Sequence, residues 1–594
     1  MRKHIFILAA ALALGGCNKD DGGNGGNGGT GGTGGGGDVG DMATPNDLEV
    51  NTTPPSPTAM HVGATGVTSN LVTAGGHAAY LVNAAPMTSS STTIGVAGEL
   101  HVVSFDGTDV TVAPNVLAGR YQLAPDGKSI FWITFDPTNG PTSGTASLSY
   151  LSLSAGATAK AITGQMPVTN LVNDPTKAAV YSPNPLTLES FFSPSSKYFL
   201  VAIAPAKEST EPDLHVIDTS SGMDVYQRPN GGALYSQLVL PDDTMLFQDT
   251  AGGTSTSTTP VQTLYWVALP GGAAPAQIAT KTASILPTAD NKTILILTTG
   301  GSLLTWDATN KAGAPKSLAT NVAFLSLGGD ATGPVAYVGW DHSVHVVATD
   351  GTKKLDLDGA TANADLFGAI RLSPDGANVY YFQSAEPQNR RGTLFRAAVG
   401  AGATPAHVAD KVSLADLAVT GDALVFLQNV DDVGGFGDAA TAALDGSGVK
   451  MLGSKAPVGG LRVGAAGQSW YALHLSGAAT VAGNTPIDGS PAITGGLAFV
   501  AGGSAADVSL DAAVHEGAFG FSDDGLAAVF AAGAKWDATA KNWLGALSFI
   551  ATGAPSTKID GTVAGVSEIG PINGRSLFVS APGASPAGIY FVRY

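Results

Sequence analysis

The residues of this chain that could carry chemistry locally are two histidines and two small groups of aspartates. His342 and His345 lie three residues apart in a predicted strand, and that offset places two side chains on opposite faces of a strand. Both would bind one metal only if the segment turned, so surface or core positions are expected. Asp356, Asp358 and Asp365 could offer oxygen ligands to Ca²⁺. Their order does not match an EF-hand, and an ordinary connecting loop is the better interpretation.

A second acidic stretch contains Asp431, Asp432 and Asp438, but Asp438 follows Gly437 directly and does not fit the glycine-rich calcium repeat. The chain contains no G-x-S-x-G pentapeptide and no glycine-rich phosphate loop between a strand and a helix. The sequence therefore predicts no catalytic residue, no metal ligand and no cofactor. An active site assembled from distant parts of the chain stays open.

The single cysteine, Cys17, follows a positively charged start and the apolar stretch 5–14, which is too short to span a bilayer. The sequence Leu14-Gly15-Gly16-Cys17 resembles the lipobox of bacterial lipoproteins. That resemblance implies a signal peptide at residues 1–16, cleavage before Cys17, and lipidation of its sulfur with fatty acids such as palmitate. The alternatives are an ordinary secretory leader with a chance cysteine, or a buried core cysteine.

Residues 17–58 are predicted to tether the lipid to the fold. Glycine makes up twelve of the sixteen residues in the stretch 22–37, which gives a flexible coil, and several prolines follow it. A glycine-rich chain of this length has a mean span of about 35 Å. No aspartate directly follows Cys17, so the inner-membrane retention signal of enterobacterial lipoproteins is missing. We expect an outer-membrane location, on the periplasmic face or at the cell surface.

Composition restricts the partners. The chain has 29 basic and 47 acidic residues and a net charge of −18, which repels the phosphate backbone of nucleic acids. Charged residues make up only 13% and apolar residues 44%, enough to form a folded core. We therefore expect no nucleic-acid partner, a membrane contact through Cys17, and a protein or peptide partner in the envelope.

The elements that must position any site are organised around the segment 371–383. Ser373-Pro374-Asp375-Gly376 is typical of a type I turn, with proline at the first corner and glycine where a Cβ is disfavoured. Alternating apolar residues on both sides predict two strands. Related strand pairs recur with turns near Asp126, Ser195, Asp242, Asp290, Asp330, Gly421, Ala466, Asp524 and Asn573, and a weaker copy covers 72–82.

The repeat predicts an all-β fold. Turns from Asp126 to Asn573 lie about 50 residues apart on average, with room for four short strands in each interval, and this is typical of a β-propeller blade. The turn sequence resembles the TolB-type, WD40-like propeller repeat. About eleven units favour two tandem propellers, at 59–358 and 359–594, over one seven- or eight-bladed ring with insertions. The strand at 588–594 is expected to close a ring with an early strand.

Aromatic and basic residues supply weak candidates for a contact surface. Trp536 and Trp543 lie in a predicted loop between strands and are our candidates. Four other tryptophans (Trp132, Trp266, Trp306 and Trp340) stand near predicted strand ends, where packing between blades is expected. Arg390 and Arg391 are expected in a solvated loop.

The leading functional hypothesis is a lipid-anchored, non-catalytic propeller that binds a protein or peptide. The alternatives are a polysaccharide-acting lyase or hydrolase with its site on the propeller axis, and a structural surface lipoprotein. A central cluster of histidine, arginine and carboxylate groups would support the enzyme. Fold resemblance alone does not choose among them.

Overall fold

The computed structural model describes residues 58–62, 68–89, 92–136, 145–162, 166–167, 190–203, 213–228, 237–250, 262–271, 274–288, 290–327, 333–357, 359–360, 362, 370–421, 423–432, 435–459, 461–463, 469–474, 494–501, 508–515, 519–521, 527–537, 542–551, 557–564, 568–572, 576–581 and 588–593. The regular elements in these ranges are β-strands, apart from a single 3-10 turn at Pro387–Asn389. Within the same ranges, no helix has the length and hydropathy to cross a membrane. Cys17 and the predicted tether up to residue 57 lie outside the described residues.

The strands of the first part of the chain are β1 Thr58–Val62, β2 Thr68–Ala74, β3 His77–Ser89, β4 Thr92–Ser104, β5 Asp109–Leu123, β6 Ser129–Asp136, β7 Thr145–Ser152, β8 Lys160–Ala161, β9 Met166–Pro167, β10 Ser190–Phe192, β11 Tyr198–Ile203, β12 Asp213–Asp218, β13 Asp224–Arg228, β14 Gln237–Val239, β15 Thr244–Thr250, β16 Gln262–Ala268, β17 Ala276–Thr280, β18 Thr282–Pro287, β19 Thr293–Thr298, β20 Leu303–Asp307 and β21 Lys316–Ala319.

The strands of the second part are β22 Val322–Leu327, β23 Val335–Gly339, β24 Val344–Val347, β25 Lys353–Leu357, β26 Ile370–Leu372, β27 Asn378–Glu386, β28 Arg391–Ala398, β29 Ala406–Ser413, β30 Leu417–Val419, β31 Ala423–Gln428, β32 Phe436–Ala443, β33 Lys450–Pro457, β34 Leu461–Val463, β35 Ser469–His474, β36 Thr494–Ala501, β37 Val508–His515, β38 Phe519–Phe521, β39 Ala527–Asp537, β40 Asn542–Ala551, β41 Thr557–Ala564, β42 Glu568–Ile572, β43 Ser576–Ala581 and β44 Gly588–Arg593.

These strands form eleven four-stranded antiparallel blades. Strands β10 to β41 make eight sheets of four consecutive strands each. Strands β2 to β8 make two blades that share β5, whose first half pairs with β4 and whose second half pairs with β6. Strands β42 to β44 are completed by β1. We number the blades 1 (β2–β5) to 11 (β42–β44 with β1). The predicted all-β propeller fold and the count of about eleven units are confirmed.

The turn between the first two strands of a blade has the predicted structure. In blade 7 the Gly376 N–H donates to the Ser373 carbonyl at 2.8 Å, and Gly376 has a φ of +69°. The Asp375 carboxylate accepts from the Ser373 hydroxyl at 2.5 Å and from the Ala377 N–H at 2.9 Å. These bonds satisfy the polar groups of a tight turn, and they explain why serine, proline, aspartate and glycine recur there.

The hydrophobic core lies between neighbouring blades. One cluster joins Val346 of blade 6 to Tyr381 of blade 7 across the predicted boundary at 358/359, and another joins Tyr80 of blade 1 to Phe591 of blade 11. Strand β44 pairs with β1 from Thr58 to Val62, so the expected closing strand is confirmed. The division into two rings stays a prediction.

The alternation of strand direction gives each blade two ends. The turns between strands one and two and between strands three and four lie at one end, which we call the tight-turn face. The turns between strands two and three and the connections between blades lie at the other end, the loop face. Strand β1 is the fourth strand of blade 11, so Thr58 lies at the tight-turn face.

Candidate functional site

The predicted contact residues Trp536 and Trp543 lie on strands, not in a loop as the sequence suggested. Trp536 ends β39, Trp543 begins β40, and the two are register partners on these antiparallel strands. The prediction erred because a hairpin can extend its pairing beyond the apolar part of its strands. The role of both residues in binding stays a prediction.

The other tryptophans differ sharply in exposure. Trp132 and Trp306 are buried, as predicted, at 2% and 1% exposure. Trp266 is partly covered, with the Lys311 ammonium 5.6 Å from the centre of its ring. Trp340 is 44% exposed, although it was expected to pack between blades. Among the four tryptophans whose exposure is described, Trp340 is the most exposed.

Trp340 lies in the short connection between β23 and β24, which belongs to the loop face of blade 6. Its N–H donates to the Asn321 carbonyl at 3.0 Å, and the Gly339 N–H donates to the Ser343 carbonyl at 2.9 Å. The indole lies against Gly301 of blade 5, where an added Cβ would come within 3.3 Å of its nitrogen. The backbone bonds at both ends of the turn hold the exposed ring in place.

Four polar side chains in and next to this turn form a continuous chain of contacts. The Ser343 Oγ lies 2.5 Å from an Asp341 oxygen and 2.6 Å from the His345 Nε2. The His345 Nδ1 contacts the Asp356 carboxylate. His345 and Asp356 are register partners on β24 and β25, while Asp341 and Ser343 belong to the turn. The chain of contacts thus links the exposed turn to the outermost strand of the blade. We call these four residues the turn relay.

Three members of the turn relay repeat the order of a serine hydrolase triad, in which histidine links a serine to an aspartate. Catalysis requires that the serine oxygen reach a substrate carbonyl. Ser343 is only 2% exposed, and its hydroxyl also contacts Asp341. An enclosed hydroxyl that is committed to a carboxylate cannot attack a substrate, so the geometry favours a structural role.

Histidine–aspartate pairs between the same two strands of other blades support that role. In blade 1 the His101 Nδ1 lies 3.0 Å from Asp109, and in blade 3 the His215 Nδ1 lies 2.6 Å from Asp224. Each histidine is on the third strand and each aspartate on the fourth. The repetition shows a tie between the two outer strands, and in blade 6 a serine extends this tie to the turn.

The charges around His345 are mostly negative. The pKa of Asp341 lies below its usual value, chiefly because the Ser343 hydroxyl donates to it. The pKa of Asp356 is also lowered, chiefly by the hydrogen bond from Lys353, and the charge of His345 adds to this effect. Burial raises the pKa of Tyr337 to about 12, and its ring stacks on His345 with centroids 4.8 Å apart.

The histidines and aspartates considered as metal ligands have protein partners instead. The His342 Nδ1 contacts the Ala362 carbonyl at 2.7 Å, away from His345. Asp431 accepts from the Gly435 N–H, and the Asp438 carboxylate accepts from the Asn429 amide. Asp358 and Asp365 lie outside the described residues. In the ranges described above, no group of three potential ligands is placed to hold a metal ion.

The prediction of a solvated loop is wrong for Arg391, which is 7% exposed. Its guanidinium donates to the Val430 carbonyl at 2.8 Å and pairs with Glu386 and Asp432. The charge therefore ties blade 7 to blade 8. Arg390 has a left-handed φ of +53° at the end of the 3-10 turn.

Comparison with known proteins adds no family. No family model matches the sequence, and no curated protein matches it. A solved structure of BamB from Moraxella catarrhalis is 12% identical over 63% of this chain and 95% of that chain, with a TM-score of 0.27. The β-propeller domain of the Trilobed protease from Pyrococcus furiosus is 11% identical over 66% of this chain and 99% of that chain, with a TM-score of 0.26. A eukaryotic initiation factor is 10% identical over 66% of this chain and 90% of that chain, with a TM-score of 0.37. Such low scores carry no argument about function, and the propeller assignment rests on the sheets described above.

Sequence reasoning missed the turn relay and the exposed ring above it. One signal was present, because Trp340, Asp341, His342 and Ser343 form a polar, tryptophan-containing turn directly after the apolar strand β23. The contact with Asp356 could not be read from the sequence, since it depends on the register of β24 against β25, which shifts between Val346 and Val347.

Proposed function

We propose that this protein is a lipid-anchored β-propeller of the bacterial cell envelope that binds a protein or peptide without catalysing a reaction. The observation that carries the proposal is Trp340, which is 44% exposed on a turn fixed by backbone hydrogen bonds. Tryptophan is enriched among the residues that dominate binding energy at protein interfaces. Its large, rigid ring also loses little conformational entropy on binding.

The chemistry below the turn supports binding over catalysis. Ser343 is enclosed, so the hydroxyl has no route to a substrate. The polysaccharide-acting alternative requires histidine, arginine and carboxylate groups together near the axis. The first strands of the blades, as far as they are described, contain arginines such as Arg120 and Arg371 but no histidine.

Anchoring through Cys17 is part of this proposal, and the lipobox-like sequence supports it. Two or more acyl chains give stable membrane attachment, because each buried CH₂ adds roughly 0.8 kcal/mol. The chain enters the propeller at Thr58 on the tight-turn face, whereas Trp340 lies on the loop face. The absence of aspartate after Cys17 supports an outer-membrane location. The propeller would then lie either on the periplasmic face of this membrane or at the cell surface.

The test is cross-linking of the full-length protein in its native membrane, followed by mass spectrometry. To test the contact surface, the natural protein is compared with Trp340→Ala and Met223→Ala. Met223 is 62% exposed on the tight-turn face, so it is a matched control for the loss of an exposed apolar side chain. Cys17→Ser tests whether recovery depends on the anchor.

We expect a defined envelope protein or peptide to be cross-linked to residues around the Trp340 turn. Trp340→Ala should weaken binding of the purified partner by about thirtyfold, as for a residue worth roughly 2 kcal/mol. Met223→Ala should leave it unchanged. Equal recovery with the natural protein, Trp340→Ala and Met223→Ala would refute the proposal that the partner binds at Trp340. Cross-links confined to the tight-turn face would refute it as well. Recovery of glycan alone would favour the polysaccharide alternative.

A further inference from the structure

The Trp340 turn, residues 339–343, presents an aromatic ring and a carboxylate side by side. Trp340 and Asp341 occupy its two corner positions, because the His342 N–H donates to the Gly339 carbonyl at 2.9 Å. Both corner residues are exposed, and an exposed aspartate is ionised at neutral pH. The face of an indole ring carries negative charge density, which attracts cations. The turn therefore offers a cation two adjacent attractive groups.

The described residues leave both groups available. The Ser343 N–H donates to the Asp341 carboxylate at 3.2 Å, and the Ser343 hydroxyl donates to it as well, but both bonds end on Oδ1. No other hydrogen bond or ion pair within the described ranges reaches Asp341, so its Oδ2 can accept from a ligand. Among the lysines and arginines of the same ranges, none lies over the Trp340 ring.

The same combination of groups holds a cation elsewhere in this chain. Between blades 4 and 5, the Lys311 ammonium lies 5.6 Å from the centre of the Trp266 ring and 2.7 Å from an Asp242 oxygen. It also donates to the Thr244 hydroxyl. The lysine side chain is only 27% exposed, so an indole and an aspartate together fix an ammonium group that is largely covered. At the Trp340 turn, the described residues supply the indole and the aspartate without the cation.

The neighbouring blade leaves space for a ligand beside the ring. The connection between β19 and β20 of blade 5 contains Gly300 and Gly301. Gly301 supports the indole, since an added Cβ would lie 3.3 Å from the ring nitrogen of Trp340. Gly300 is exposed, and a Cβ there would meet only the Thr298 hydroxyl at 4.0 Å. Backbone without side chains allows the main chain of a partner to approach closely.

We propose that the Trp340 turn recognises a lysine or arginine side chain of the partner, which lies on the indole and pairs with the Asp341 carboxylate. The net charge of −18 favours the approach of a basic segment. This inference rests on the protein-binding function proposed above and names the chemistry of the partner. A neutral sugar also stacks on tryptophan, but it is not attracted by charge, so charged and neutral probes separate the two ligands.

The experiment is an NMR titration of the full-length protein in detergent, labelled with ¹⁵N at tryptophan. The chain has seven tryptophans, and the indole signal that disappears in Trp340→Phe belongs to Trp340. Three probes are compared: a tetralysine peptide with blocked ends, the same peptide acetylated on every side-chain nitrogen, and a neutral oligosaccharide of N-acetylglucosamine. We expect the lysine peptide to shift the Trp340 signal and the two neutral probes to leave it in place.

Two variants separate the local carboxylate from the general acidity of the protein. Asp341→Asn keeps an oxygen for the bonds from Ser343 and removes the charge, so the affinity for the lysine peptide should fall about two- to fivefold, as for one exposed ion pair. Asp350→Asn is the matched control. Asp350 is an exposed turn aspartate of the same blade that accepts from the Thr352 N–H at 2.8 Å, but it lies at the tight-turn face. Its replacement should leave the affinity at Trp340 unchanged.

An unshifted Trp340 signal, equal shifts with the acetylated peptide, or an unchanged affinity in Asp341→Asn would overturn the inference. A shift produced by the oligosaccharide alone would overturn it in favour of glycan binding. None of these titrations uses the envelope partner. If the lysine peptide binds at Trp340 and cross-linking recovers no protein, the proposed function fails while the cation site stands. If a protein is cross-linked at Trp340 and the lysine peptide does not bind, the function stands and this inference fails.

Discussion

Tyr380 and Tyr381 offer a sharp test of how the blades are joined, because they are neighbours on β27 and both are 0% exposed. Their side chains face opposite sides of the sheet. The Tyr380 hydroxyl donates to the Leu444 carbonyl of blade 8 at 2.6 Å. The Tyr381 hydroxyl is buried and has no hydrogen-bond partner within bonding distance in the described part of the chain. Its pKa is raised by burial to about 12, and the nearby Gln383 amide opposes the rise.

Replacing each tyrosine by phenylalanine removes one oxygen and leaves the ring in place. Tyr380→Phe loses a bond between blades and leaves the Leu444 carbonyl without its donor, which costs about 1–2 kcal/mol. Tyr381→Phe removes a buried hydroxyl that has no partner within hydrogen-bonding distance and is only weakly influenced by the Gln383 amide. Its effect should range from neutral to a stabilisation of about 1 kcal/mol. The two variants should therefore differ by about 1–3 kcal/mol in the free energy of unfolding.

Guanidinium denaturation of the two variants and the natural protein measures this difference, provided the slope of the transition is unchanged. Hydrogen exchange at residues 444–447 locates the effect, and only Tyr380→Phe should speed it up. If Tyr381→Phe destabilises the protein as much as Tyr380→Phe, the hydroxyl of Tyr381 has a partner and the reasoning fails.

Three further predictions test the turns and the closure. Gly339→Ala should lower the melting temperature, because its Cβ would collide with Asp341 and Ser343; Gly421→Ala, with no atom within 4 Å, should be neutral or stabilise by up to about 1 kcal/mol. Ser373 lowers the pKa of Asp375, so the stabilisation that this carboxylate provides is present above its unfolded-state pKa and is lost as the pH falls through the lower folded-state value. Asp375→Asn should reduce the acid-induced rise in local hydrogen exchange below about pH 4, and an unchanged rise would count against the turn bond. Val62→Ala, in the 2% exposed position of β1, should cost about 1–2 kcal/mol and speed exchange in β44; unaltered exchange there would contradict closure by β1.

The fold could be predicted because its information is local. The Ser373 hydroxyl bonds Asp375 only two residues away, and the flanking strands pair with each other in a single hairpin. Each recurrence of this unit marked a blade, including the weak copies. The closing strand was predicted for a general reason, since an unpaired edge is unfavourable in a β-propeller.

The candidate site could not be predicted because it depends on distances that the sequence does not encode locally. His345 and Asp356 meet through strand register, and a one-residue shift would separate them. The exposure of Trp340 depends on how blade 5 lies against blade 6, so the ring looked like any other tryptophan near a strand end. Arg391 looked solvated because its partner Val430 is in another blade.

The pairing of β1 with β44 has a consequence for the order in which the chain is made. Its register joins Thr58 to Arg593, so the partner of β1 is synthesised 535 residues later (593 minus 58). Such a distant contact forms late, because the loop entropy must be overcome before the strands pair. Ten blades can therefore assemble while the eleventh waits, and β1 spends that interval as an unpaired strand. Chaperones and proteases that meet the nascent chain would therefore encounter β1 before β44 pairs with it.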